Sequence, residues 1–357
     1  LDARWREIRA DVAPWHSKNS KECYSYGAER WARGLKSWSV SKSGTRRGAK
    51  VGFPSFRSLG HNDSVQFSAT RCTAVLQSCG LVVKLPKIGH VRMKEPLTLA
   101  EGQRITAVTV RQKAGRWFAT FRIREDDWEA PPKSDGDRVV GVDLGIGDRV
   151  ATLSDGTVVP NKRHYRADEA KLRRVNKAIA RKQTGSNNRK KAVRKRARLL
   201  YTQANRRSDD LHKFTSGLTK NHGADVIVVE DLAVAGMGQA LRLGKSVHDA
   251  APAEIRRQLT YKTDWYGVTL VVADRWFPSS RTCSGCGAVN GGLTLSQRTW
   301  VCECGAVHDR DMSAAINLKN LAVRSTVAAC GDGSSGHHGD ETAVSETGRT
   351  QKEKAHA

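Results

Sequence analysis

Hydrophobic positions along this 357-residue chain change period several times, and each change marks a different kind of element. Up to about residue 40, Trp5, Trp15, Trp31 and Trp38 recur among charged residues at spacings that fit short amphipathic helices, so residues 1–45 read as a small helical piece. The stretch SKSGTRRGAKVGFPSFRS (41–58) keeps no apolar period and has the composition of a basic loop. From about 62 to 128 the period drops to two. The runs SVQFSA, GLVVKLP, HVRMK, ITAVTVRQ and RWFATFRIRE predict a small antiparallel sheet or barrel within residues 46–135. A hairpin is expected around Ala114 and Gly115, with Trp117, Phe118 and Phe121 on its core face.

The following runs are apolar at successive positions, as strands buried on both faces are. VVGV (139–142) leads into Asp143, Gly145 and Gly147, and ATLSDGTVV then forms a hairpin at Asp155 and Gly156. ADVIVVEDLAVAGM gives a second buried strand ending at Glu230 and Asp231, and VTLVVADRWF (268–277) a third. Between them, residues 162–220 carry a helical period broken at TGSNN (184–188). Two long antiparallel helices fit, with Leu172, Val175, Ile179, Val193, Leu199 and Leu200 as their apolar stripe. Residues 251–267 predict a helix with Pro252 in its first turn, and DMSAAINLKNLAV a last one packing Ala314, Ala315, Leu318 and Leu321 inward. The alternation of strands and helices makes this part α/β. A central strand ending in an acid, then glycines, then a hairpin is the start of an RNase H-like fold.

Such a fold would gather acids from distant segments. Asp143 ends an all-apolar strand, a place that turn-capping explains poorly. Glu230 and Asp231 point to opposite faces of their strand, so only one can join a site built around Asp143, and Glu230 is the candidate. Asp309 and Asp311 compete for a third position, with placement at the helix start favouring Asp311. Three carboxylates suffice to hold two magnesium ions, which keep several waters each, and such a pair serves phosphodiester hydrolysis.

Between the second and third acids lie Cys283, Cys286, Cys302 and Cys304, two close pairs separated by a hairpin-like segment, as in tetrahedral zinc sites. The first pair is C-S-G-C followed by Gly287; the second, C-E-C, is one residue short. Cys23, Cys72, Cys79 and Cys330 follow no spacing and read as idle thiols.

Charge then names the partner class. With 61 Lys+Arg against 36 Asp+Glu, the net charge of +25 is the footprint of a nucleic-acid binder. Positive charge outweighs negative most one-sidedly in the paired helices, so Arg173, Arg174, Arg181, Lys182, Lys190, Lys191, Arg194, Lys195 and Arg198 are the candidate backbone contacts. No run of about twenty apolar residues spans a membrane and no signal peptide is evident. With reduced cysteines, this predicts a reducing, cytoplasmic compartment. The chain begins at Leu1 in what reads as mid-helix, so an N-terminal piece is expected to be missing.

VVGVDLGI, NRRSDDLHK, VIVVEDLAVAGM, FPSSRTCSGCG and HDRDMSAAINL, in the order they occupy here, resemble the TnpB family of insertion sequences, relatives of the type V CRISPR effector nucleases. The resemblance is strong over residues 138–322 and looser before them. It implies a partial helical recognition lobe (1–45), a β-barrel wedge domain (46–135), and a RuvC nuclease domain (136–276) with the basic helices as insertion. A zinc-ribbon, target-nucleic-acid-binding insert (277–307), a final RuvC segment (308–324) and a disordered tail (325–357) would follow. It further implies Asp143, Glu230 and Asp311 as catalytic acids with Mg2+, structural Zn2+ on the four cysteines, a guide RNA from the transposon end, and double-stranded target DNA. A separate transposase would act on the same element. The C-x-C pair and Ser313, where the family usually has Asn, depart from the pattern. Competing readings are a non-cutting RNA- and DNA-binding repressor and a conventional RNase H-like transposase, though no His-hydrophobic-His motif is present.

Overall fold

The computed structural model describes residues 2–46, 48–55, 64–68, 75–77, 80–134, 136–234, 236–237, 243–294 and 296–331. The expectations for Cys72, Cys79, the Cys330 side chain and residues 332–357 lie outside the described residues. At the N-terminus, α1 (Asp2–Val12) is followed by a short 3-10 turn and by α2 (Lys21–Lys42), capped by the Ser20 hydroxyl, which accepts from the Glu22 amide. At 22 residues α2 is longer than the short helices the sequence indicates, and it ends within the expected helical segment. The predicted loop also docks in part, with Phe53 edge-on to Trp31 and Trp38 at 5.9 and 5.1 Å.

The β-rich segment forms two three-stranded antiparallel sheets among the described residues, where a closed barrel was one of the expectations. One joins β1 (Ser64–Ser68), β5 (Gln103–Lys113) and β6 (Arg116–Glu125); the other joins β2 (Val75–Gln77), β3 (Val82–Leu85) and β4 (Gly89–Arg92). Phe67, Val83, Leu85 and Val108 share one core between them. The β5–β6 hairpin turns at Ala114 and Gly115, both at positive φ. Phe121 packs against this core, but Trp117 is 65% exposed. Phe118 turns instead to Tyr201, 5.5 Å away on the long basic helix. Trp117 lies beside the hairpin turn, and alternation puts Phe118 on the strand face opposite Ala119 and Phe121, which pack on the core.

The larger sheet is mixed and five-stranded, in the order β11-β10-β7-β8-β9. Parallel strands β11 (Thr269–Ala273), β10 (Val226–Glu230) and β7 (Val139–Leu144) form one side, and the hairpin β8 (Arg149–Leu153) and β9 (Val158–Pro160) the other. Alternation along the strands divides their side chains between two cores. Val140, Val142, Leu144, Ile227 and Val229 pack with Leu211, Ile255 and Leu259 of α4 (Asn187–Ser216) and α6 (Pro252–Tyr266). Val139 and Val228 pack on the opposite face with Leu318 and Ala322 of α7 (Arg310–Gly331). Gly141 lies under α7, where an added Cβ would strike the Ala315 carbonyl and come within 2.6 Å of the Lys319 nitrogen. The helix can seat itself because that position has no side chain. It continues through Gly331, past the predicted start of the tail at 325.

The basic insertion consists of α3 (His164–Ala180) and α4, with the break where Ser186 caps α4 by accepting from the Arg189 amide. Its predicted apolar stripe is only partly used. Ile179 is buried, whereas Val193 and Leu200 are exposed, because among the described residues no further layer covers the outer half of α4. The short α5 (Gly244–Ala250) precedes α6, and Asp249 accepts from the Tyr165 amide at the start of α3. Among the described residues, no helix is long and apolar enough to cross a membrane.

Candidate functional site

The two inner strands of the sheet bring the first two acids together. Their parallel register pairs Val229 with Val142, one step before Glu230 and Asp143. Both acids share parity with the residues under α7, so both point to the face that this helix covers. Asp231 points the other way and is held by Arg256 and Arg275. Alternation thus separates the two neighbours as the sequence requires.

The third acid comes from the first turn of α7. Asp309 and Asp311 have different work there. The Asp309 carboxylate accepts from the amides of Asp311 and Met312, at 3.1 and 3.0 Å, and from Arg149 at 3.2 Å. Although partial burial opposes it, the Met312 amide and the Arg149 guanidinium hold Asp309 below the ordinary carboxylate range. It caps the helix. Asp311 is less exposed and takes Arg298 at 3.1 Å and Arg149 at 3.6 Å. Burial, then the charges of Glu230 and Asp311, push the Asp143 carboxyl well above its usual value, against the pull of Arg310 and Arg298. Glu230 is also raised by burial, although a hydrogen bond from Ser279 and the charge of Arg310 oppose the shift. Asp143 thus lies in the field of both Glu230 and Asp311, and burial makes two of the three carboxyls reluctant to ionise.

The cysteine element stands directly before α7. All four Sγ atoms lie within 4.8 Å of one another, with Cys283–Cys304 at 3.7 Å and Cys286–Cys302 at 3.6 Å. Tetrahedral ligands at the usual Zn–S bond of about 2.3 Å stand roughly 3.8 Å apart, so these spacings fit zinc. Each pair ends on a glycine at positive φ, Gly287 or Gly305, which lets the chain turn back after the second thiol. That turn brings Cys304 into the cluster despite the shortened C-E-C spacing. The Cys286 amide, followed by that of Gly285, holds the Cys283 thiol down at about 5.

The buried His308 was not singled out from the sequence. It lies on β13 (Val307–Asp309), opposite Trp300 of β12 (Thr299–Val301) with ring centroids 4.7 Å apart. Its Nε2 is 3.0 Å from Cys283 Sγ, and the Ser284 hydroxyl is 3.4 Å from Nδ1. A histidine three residues after C-x-C-G was the available signal. Ser279 and Asn317 were also overlooked. Ser279 donates to Glu230, and Asn317 donates to the carbonyls of Ser279 and Thr282 at 2.8 and 2.7 Å. Ser313, the departure from the family pattern, donates to Thr282 at 3.1 Å and leaves Asp311 untouched.

Of the nine basic candidates on α3, α4 and the turn between them, eight are exposed and Lys182 is half-buried. None of these described residues takes part in an ion pair. Lys190, Arg194 and Arg198 recur at intervals of four, placing like charges on one helix face.

A family model described as "Cas12f1-like, TNB domain" matches residues 253–318, and the IS605-type OrfB model, described as "Probable transposase", matches residues 108–241. A Streptomyces pristinaespiralis protein named "Putative RNA-guided DNA endonuclease" is 44% identical over 244 residues, 68% of this chain and 58% of that protein. This chain therefore spans less than two thirds of that relative's length. A Mycobacterium tuberculosis protein bearing the same description is 35% identical over 343 residues, 89% of this chain and 73% of the relative. InsQ of Escherichia coli K12, also so described, is 32% identical over 299 residues, 79% of this chain and 71% of its own. A solved structure, "Cryo-EM structure of the Cas12f1-sgRNA-target DNA complex", superimposes with a TM-score of 0.49 at 14% identity, covering 90% of this chain and 76% of that one. The chain belongs to the TnpB family.

Proposed function

We propose that this chain is an RNA-guided, divalent-metal-dependent DNA endonuclease of an insertion sequence, built on an RNase H-like (RuvC) domain with a zinc-ribbon insert. The observation that carries the reading is the convergence of Asp143, Glu230 and Asp311, from two parallel strands and the first turn of α7, on one face of the sheet. Divalent cations bound there would stabilise the attacking and leaving oxygens of a phosphodiester. Asp143 and Glu230 would hold such ions from the sheet and Asp311 from the helix, while Arg149 caps the rim. Arg298, which pairs with Asp311 here, would turn to a phosphate once the acids bind cations. The description carried by the curated relatives supports the guided, DNA-cutting part of the reading, and the free cations of α3 and α4 would follow a nucleic-acid backbone without reading bases.

The test is cleavage by purified protein with a cognate transposon-end RNA and matching DNA in Mg2+. Asp143→Ala should reduce cutting by at least about a thousandfold, roughly 4 kcal/mol of transition-state stabilisation, while RNA and DNA binding stay within about twofold of the parent. Undiminished cutting by Asp143→Ala would exclude this site.

A further inference from the structure

Glu230 has the longest side chain of the three acids and leaves the sheet at a strand end, so its orientation needs fixing. The loop after β11 does this. There, Pro278 accepts from the Arg281 and Thr282 amides at 3.0 and 3.1 Å, closing a tight turn over residues 278–282. The Ser279 backbone is fully occupied: its amide donates to Phe277 at 2.8 Å, and its carbonyl accepts from Asn317. The turn has no use for the hydroxyl. Ser279 is nevertheless 4% exposed, and its Oγ donates to Glu230 Oε1. A buried hydroxyl that closes no turn and aims at an acid is a positioning group.

The same turn is fastened to α7. Asn317 Nδ2 reaches both the Ser279 and Thr282 carbonyls, and Ser313 Oγ reaches Thr282 again. Two turns earlier on that helix is Asp311. A continuous run of side-chain contacts therefore connects Glu230 to the helix that supplies the third acid, passing through the entry to the cysteine element.

We infer that Ser279 is a positioning residue that holds one Glu230 oxygen and leaves the other free for a divalent cation, with Asn317 keeping Ser279 in register with Asp311. This rests on the proposal that the three acids bind divalent metal. Removing the hydroxyl leaves the acid in place but releases its rotamer, so the effect falls on metal affinity before it falls on the limiting rate. Changes to groups of this kind typically cost about 10–100-fold in metal affinity or activity.

The full chain should be compared with Ser279→Ala and Ser279→Thr, the second retaining a hydroxyl, by Mn2+ binding in calorimetry and by the Mg2+ concentration giving half-maximal cleavage of guided target DNA. Ser279→Ala is expected to weaken Mn2+ binding roughly tenfold and to raise the half-maximal Mg2+ similarly, with the plateau rate recovered at high Mg2+ and DNA binding unaffected. Ser279→Thr should return both values to within about twofold. If Ser279→Ala melts early, Ser279→Cys supplies a near-isosteric side chain with a weak donor and takes its place. Parent-like Mn2+ binding in the folded Ala or Cys variant overturns the inference. Absence of Mn2+ binding in the parent also overturns it. Should the parent bind Mn2+, and the variant bind it tenfold less, without either cutting DNA, the positioning role stands and the nuclease reading falls.

Discussion

A proton on Asp143 is retained in the folded chain at a pH where the unfolded chain has already lost it, because burial and the charges of Glu230 and Asp311 raise its pKa. Stability of the metal-free protein should therefore decline as pH rises from the ordinary carboxylate range, about 3.9, through the raised value. Under the proposed function, Mg2+ would bind the ionised acids and flatten that decline. Thermal unfolding across pH, with and without Mg2+, measures both. At the cysteine cluster, His308 Nε2 lies within hydrogen-bonding distance of the Cys283 sulfur, and the Ser284 hydroxyl meets the ring's other nitrogen. His308→Phe keeps a ring against Trp300 but removes both nitrogens. Zinc retention in a chelator competition should fall roughly tenfold. Period-two alternation and cysteine spacing made Asp143, Glu230 and the four thiols legible in the sequence. They left Asp309 and Asp311 competing, since both precede a helix. Two amide hydrogen bonds settle the cap on Asp309. His308, Ser279 and Asn317 have no spacing of their own and emerge only when distant segments meet.

The sheet and its last helix depend on each other most closely at Gly141. Gly141→Ala forces α7 away from β7 and should destabilise the domain by about 1–3 kcal/mol, the usual range for overpacking. The shift would also displace Asp311, so denaturant unfolding and cleavage should decline together. The parallel strands were readable as all-apolar runs, and the break between α3 and α4 as turn residues. Helical periodicity served less well on the inner side of α6. Lys262, which no sequence pattern marks, is 4% exposed, donating to the His212 carbonyl and to the Thr215 and Ser216 hydroxyls. Those acceptors lie just before a π-helical turn at Gly217–Asn221, an irregularity that a period does not reveal. The exposed Val193 and Leu200 are the converse case, an apolar stripe that no neighbouring layer covers.

Across the whole molecule, the excess of positive charge is carried by surfaces that find little compensation within the chain. Like charges at i,i+4 on Lys190, Arg194 and Arg198 weaken α4 by a few tenths of a kcal/mol per pair unless an anion intervenes. Changing all three to Gln should make the isolated protein no less stable while weakening nucleic-acid binding. If all three meet phosphates of a duplex, the slope of log K against log[salt] should become shallower by about 2.7. Titrations at several salt concentrations test this, and an unchanged slope would place the backbone elsewhere. The β5–β6 hairpin bears on the same helix through Phe118 and through Lys113, whose Nζ lies 5.1 Å from the Tyr201 ring centre. The β-rich part and the basic insertion thus share a boundary that composition alone did not indicate.

The position of α7 at the end of the described sheet also sets a timetable for synthesis. Asp143 and Glu230 leave the ribosome well before Asp311, and at about 5–20 residues per second the first acid precedes the third by roughly 10–30 s. Until then the sheet face that α7 covers has no helix to cover it. The nascent chain therefore carries exposed basic helices long before it carries a complete set of acids, and under the proposed function it would pass through a stage in which it holds nucleic acid without the means to cut it.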